Sequence, residues 1–163
     1  MANTLSQITS QLANILRGEH GFSQTVADLQ VDKPVSPAEG AGIVELYAAA
    51  DLAEKAGAVK YPVLHVYCDR IQNTLNEKFR TFSGKADLNI EIRVSHDHLD
   101  QLQVQLRDYV QAVTTVLERN RGAWDSTTWY AGTYEVTFSP VRRGGRNYLQ
   151  TARVRLEVNI QVD

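Results

Sequence analysis

The sequence holds one cysteine, Cys68, so no disulfide can form within the chain. A lone thiol fits a reducing compartment, where stability comes from packing and not from cross-links. No apolar run reaches the roughly 18 residues that suggest a membrane-crossing helix, so no membrane partner is expected. The opening Met1-Ala2-Asn3-Thr4 lacks the positive start and apolar stretch of a secretion signal, and the expected place of synthesis and assembly is the cytosol. A large charge of either sign is missing too. A net charge of −2 argues against a broadly basic surface for nucleic acid. There is no internal repeat and no low-complexity tract.

What is present suits one globular domain. The chain has 163 residues, 43% apolar and 22% charged. A domain of this size buries roughly 68–70% of its unfolded surface and can hold a core without disulfides or metals. The expected organisation is a single domain over 1–163, with an N-terminal helical region over 1–60 and an α+β core over 61–163.

Periodicity supports this division. Leu5, Ile8, Leu12, Ile15 and Leu16 share one helix face. Thr4 and Gln7 have the spacing of a capping box, and Gly18 is a stop. Residues 19–35 show no clean period and read as a long connection. Ser36-Pro37-Ala38-Glu39 signals a second helix start. Gly40 and Gly42 weaken it, so the firm part is expected from Ile43, with Leu46, Ala49, Ala50 and Ala53 as its face and Gly57 as its end.

From Tyr61 the period changes. Val63 to Tyr67 is rich in strand formers. Residues 70–82 fit strand or helix, since Ile71, Leu75 and Phe79 are spaced by four. Ser83-Gly84-Lys85 reads as a turn. Leu88, Ile90, Ile92 and Val94 then alternate with Asn89, Glu91 and Arg93, a strand with one face buried and one exposed. Asp97 and Asp100 open the longest helix. Its stripe is Leu99, Leu102, Leu106, Tyr109, Val110, Val113, Val116 and Leu117; Arg119, Arg121 and Gly122 close it. Two alternating strands follow, Tyr130 to Phe138 and Tyr148 to Ile160, joined across Gly144-Gly145. The simplest arrangement is an α+β fold, a mostly antiparallel β-sheet with helices packed on one face plus the N-terminal helices.

Several groups of residues invite a chemical reading. His96-Asp97-His98 resembles part of a metal tripod, but no second cluster completes it by spacing; the other reading is a polar start to the helix. His65, Cys68 and Asp69 suggest a small hydrolase or thiol enzyme, with His96 as a further candidate. A strand over 63–69 would put His65 and Cys68 on opposite faces. No metal or cofactor is expected. Arg142, Arg143 and Arg146 gather on one glycine-bearing turn, either a solvated turn or a contact for a partner's carboxylates or phosphates. Arg153 and Arg155, beside Glu157, either extend a basic stripe or form cross-strand ion pairs. Trp124, Trp129 and Tyr130 cluster near a polar loop, as core plugs or as interface anchors.

The order of elements carries a resemblance. Tyr61-Pro62-Val63 opens a strand, Ser83-Gly84 lies in a hairpin and Asp87 to Val94 returns. The long helix follows, then paired C-terminal strands around Gly144-Gly145. This order, over about the last hundred residues, resembles phage tail terminator proteins and the related neck or tail-completion proteins. The resemblance implies an α+β subunit that assembles into a homo-oligomeric ring, often a hexamer, in the virion's neck or tail. Its implied partners are the tail tube protein, a head–tail connector or stopper protein, and channel DNA contacted without sequence specificity. It implies no catalytic residues. A head–tail connector or neck adaptor is the alternative within that class, and the enzyme around His65, Cys68 and His96 is the alternative outside it.

Overall fold

The computed structural model describes residues 2–29, 42–45, 60–75 and 78–163. It has three described helices, α1 (Ala2–Arg17), α2 (Phe22–Leu29) and α3 (Leu99–Arg119). Seven strands form one sheet: β1 (Gly42–Val44), β2 (Val63–Asn73), β3 (Phe82–His96), β4 (Gly122–Ala123), β5 (Thr128–Phe138), β6 (Arg142–Gly144) and β7 (Asn147–Val162). The spatial order is β1-β2-β3-β7-β5-β4, with β6 also paired to β7. Among the described strands only β1 and β2 pair in parallel. The fold is therefore α+β with a mostly antiparallel sheet, as the alternation implies.

The seam of the sheet is β3 against β7, registered from Phe82 opposite Val162 to His96 opposite Tyr148. Successive side chains on a strand point to opposite faces. Ala86, Leu88, Ile90, Ile92 and Val94 thus line one side of β3, and Ala152, Val154, Leu156, Val158 and Ile160 the same side of β7; all are buried. Helix α3 lays Leu102, Leu106, Val113, Val116 and Leu117 into this core. Ile8, Leu12 and Leu16 of α1 and Phe22 and Val26 of α2 complete it. Phe22 meets Tyr109 edge-on, with ring centroids 5.7 Å apart. Leu99, expected in the α3 stripe, is 43% exposed because it is the first residue of the helix, beyond the packed turns.

The structure corrects several expectations. Helix α1 begins at Ala2, so Thr4 lies inside the helix and not at its cap. The connection expected over 19–35 contains α2, whose eight residues are too short for a period to declare itself. Ile43, the expected firm start of a second helix, lies in β1 instead. The rest of that expected helix, at 36–41 and 46–57, falls outside the described residues. β2 runs on to Asn73, which settles the ambiguous start of 70–82 as strand. Leu75 and Phe79 lie in the following loop, both exposed, with φ of 46° and 83°.

Ser83-Gly84-Lys85 is not a turn. It lies within β3, and Gly84 pairs with Asn73 on one side and Ile160 on the other. The glycine is there for close approach: a Cβ at residue 84 would run into the Gln72 carbonyl oxygen. Overpacking between paired backbones forces them apart. Gly84→Ala is expected to cost about 1–3 kcal/mol of stability, read by urea denaturation as a lower midpoint with an unchanged slope.

Candidate functional site

The second face of the sheet departs most from the sequence reading. Asp87, Asn89, Glu91 and Arg93 alternate with the core residues of β3, and a solvated face is expected there. Instead all four are buried, Asn89 completely. Their charges are matched by neighbouring strands. Arg155 of β7 donates to Asp87 at 2.6 Å, and Arg153 of β7 donates to Glu91 at 3.0 Å. Arg93 donates to the second Glu91 oxygen at 2.9 Å, and the Tyr67 hydroxyl of β2 donates at 2.8 Å. Of the two readings open for Arg153 and Arg155, cross-strand ion pairing is the one observed.

Burial by itself would raise the Glu91 carboxyl. The hydrogen bonds from Arg93, Tyr67 and Arg153 outweigh it and hold the group below the usual carboxylate range. A second row lies beside this cluster. Arg70 of β2 is opposite Asp87, Arg155 bonds Asp87, and Glu135 of β5 is opposite Arg155. The four charges alternate in sign across four strands and line one shallow depression on this face.

The thiol candidates do not converge. His65 is opposite Glu91 on the polar face, 5% exposed, with Nε2 3.4 Å from an Arg93 nitrogen. Cys68 is opposite Leu88 on the helix side, where its thiol contacts the Arg70 carbonyl at 3.3 Å. Burial raises its pKa, which disfavours the thiolate a nucleophile needs. His96 lies at the far end of β3. Its Nδ1 accepts the His98 backbone N–H at 2.9 Å and closes the turn into α3. No group of three or more metal-ligating side chains gathers among the described residues.

The residues singled out as interface candidates divide between the two ends of the sheet. Arg142 and Arg143 lie on β6, and Arg146 follows Gly145 in the tight turn into β7; all three are exposed. Gly145 has φ of 64°, which suits glycine in a two-residue hairpin turn. At the opposite end, Tyr130 is a core residue with no exposed surface, and burial pushes its hydroxyl up to about 12. Trp124 is half-buried against Tyr130, and its indole N–H donates to the Asn120 carbonyl at 2.9 Å. Trp129 is 53% exposed and borders a cleft of about 530 Å³ shared with Lys85, Asp125 and Asn159.

The β7 arm is not the projecting hairpin that its length suggests. It runs between β3 and β5 in the middle of the sheet. What stays open is the edge of β5. Strand β4 covers only Trp129 and Tyr130. A bulge follows, where Tyr130 and Tyr134 are opposite Val158 and Leu156 and Gly132 has φ of 97°. Beyond it no described strand pairs with the outer side of β5; Tyr134 is 38% and Phe138 51% exposed, and the Tyr134 hydroxyl donates to Glu118 of α3 at 3.2 Å.

No protein-family model matches the chain, and no curated protein does. Among solved structures it is similar to a chain from the virion of a native gene transfer agent particle. That match has a TM-score of 0.41 and 11% identity, and covers 85% of this chain and 90% of the other.

The Glu91 cluster makes a testable demand. A carboxyl whose folded pKa is depressed contributes stability above its unfolded value, about 4.3, and loses it as pH falls through the folded value. Stability should therefore drop below about pH 4. Glu91→Gln leaves Arg93 and Arg153 without their carboxylate and is expected to cost about 3 kcal/mol at pH 7. Denaturation at a series of pH values checks both, and the variant should show the shallower acid limb.

Proposed function

We propose that this chain is a structural protein of a phage-type virion, a ring subunit at the end of the tail tube. In that place it ends tube polymerisation and joins the tail to the head or neck. The observation that carries the reading is the construction of the sheet. Its central strand β3 is buried on both faces, while along the outer length of β5 no described strand pairs and Tyr134 and Phe138 are exposed. Such a subunit is stiff inside and open at its margin, as a ring built from repeated contacts requires. The order of strands and helix resembling tail terminator proteins supports the same reading. The chain acts here by binding and not by catalysis; His65, Cys68 and His96 stand apart from one another.

The arginine turn has a defined part in this proposal. Arg142, Arg143 and Arg146 contact a neighbouring subunit or the tube protein through charge-assisted hydrogen bonds to carboxylates. Contact with channel DNA is secondary and carries no sequence preference.

The test is genetic and structural together. The protein should be present in purified virions, and its loss should yield overlong tails that fail to join heads. Tailless heads bearing normal unattached tails would favour a connector, and absence from virions would reject the reading. Replacing Arg142, Arg143 and Arg146 with Ala should shift stability by about 0.5 kcal/mol or less, since all three are exposed. Melting should thus stay normal while particle assembly fails; normal assembly would mean that the turn is only solvated.

A further inference from the structure

We infer that copies of this chain join head to tail through the arginine turn and the Trp129 cleft, with Arg143 and Arg146 of one copy seated against the Trp129 ring and the Asp125 carboxylate of the next. The inference rests on the ring reading above and names the site that receives the turn.

The cleft is built on the polar face of the sheet. Lys85, Asn159 and Trp129 are partners across β3, β7 and β5, so they form one row on that face. Asp125 and Ser126, from the loop before β5, wall the cleft beside them. Trp129 takes no part in the hydrophobic core and is 53% exposed. A tryptophan placed this way is the kind of side chain that anchors contacts between proteins.

The cleft's uncompensated charge is negative. Lys85 and Asp125 are the ionisable residues in its lining. The Lys85 ammonium lies 2.7 Å from Glu157, so its charge is matched. Asp125 is held by neutral donors. Its Oδ1 accepts the backbone N–H groups of Thr127 and Thr128, both at 2.7 Å, and its Oδ2 accepts the Gln11 amide. Burial by itself would raise this carboxyl, but the hydrogen bonds from Thr127, Gln11 and Thr128 outweigh it and keep the group below the usual carboxylate range. A carboxylate oxygen has two lone pairs, so Oδ2 can accept a second donor.

An ionised carboxylate near an exposed indole suits arginine above other side chains. A guanidinium stacks flat on an aromatic ring and donates in its own plane to a carboxylate, which a lysine ammonium does not do. The chain carries this complement itself. Arg143 and Arg146 are exposed on either side of Gly144-Gly145.

Within one copy the turn and the cleft cannot meet. The turn leads into β7 at Asn147, and the cleft lies at Asn159 near the other end of the strand. At about 3.3 Å per residue these positions are roughly 40 Å apart along β7, far beyond side-chain reach. A donor at one end of the subunit and an acceptor at the other make a heterologous contact, the kind that closes into a ring when the rotation allows.

The experiment uses the full chain and two variants, a turn variant with Arg143→Ala and Arg146→Ala and a cleft variant with Trp129→Ala. All three positions are exposed, and melting curves confirm that each variant folds. Sedimentation over a range of concentrations reads association. Wild type should form species of several subunits. Each variant alone should weaken each junction by about tenfold or more, equivalent to about 1.4 kcal/mol. An equimolar mixture should give a one-to-one pair and nothing larger, because the intact turn of one variant fits the intact cleft of the other and the two remaining ends are both disabled. Wild type that stays monomeric at every concentration overturns the inference, as does association indifferent to either variant. A mixture that stays monomeric or assembles beyond the pair also overturns it. None of these results removes the protein from the virion, so the ring reading stands or falls separately on the particle test.

Discussion

The structure depends on β3 being buried on both faces. Its helix side needs Leu88, Ile90 and Ile92 in the core, and its other side needs Asp87 and Glu91 beside Arg155 and Arg153 of β7. A slip of one residue between β3 and β7 would turn every side chain to the wrong face. It would bury a charged row in the core and carry the aliphatic row out of it. Two incompatible chemistries on one strand therefore fix the register, and the register fixes where α3 and the N-terminal helices can pack. A buried ion pair stabilises little after its desolvation cost, and its stronger effect is on which alternative arrangements are excluded. For this sheet the excluded arrangements are the slipped registers.

The flanks of the sheet are less enclosed than this seam. Most of the burial lies along β3 and β7, with β2 and β5 as flanks. Among the described residues, strands β1, β4 and β6 are short and cover the flanks only in part. Edge strands usually carry devices that blunt further pairing. Here the bulge at Gly132 ends the pairing with β4, and the chain beyond it straightens into an edge bearing Tyr134 and Phe138.

Much of the fold was legible because amphipathic periods report burial directly. The stripe of α1, the stripe of α3 and the alternation of β3, β5 and β7 all follow from residue spacing. The errors have a common cause, which is that local signals do not see across the sheet. Gly84 looks like turn chemistry, yet it is a glycine because another backbone passes over it. Asn89, Glu91 and Arg93 look solvated, yet they are enclosed by partners more than sixty residues away in the sequence as well as by β2. The missed signal was in view: Asp87 and Glu91 fall on one face of β3, and Arg153 and Arg155 fall on one face of β7. The candidate interface was harder to read. Trp129 and Tyr130 are adjacent in sequence, with Trp124 close by, but strand geometry sends Tyr130 into the core and Trp129 to the surface. Which strand edge stays open depends on topology, which no short stretch of sequence encodes.

Amide hydrogen exchange, followed residue by residue in the isolated chain and in the assembled particle, tests the division between a closed seam and an open margin most directly. The expected result is that β3 and β7 amides exchange slowest in both states, near the limit set by global unfolding. Outward-facing amides of 131–138 should exchange rapidly in the isolated chain and become protected in the particle. Protection of 131–138 before assembly, or continued rapid exchange within the particle, would contradict the account.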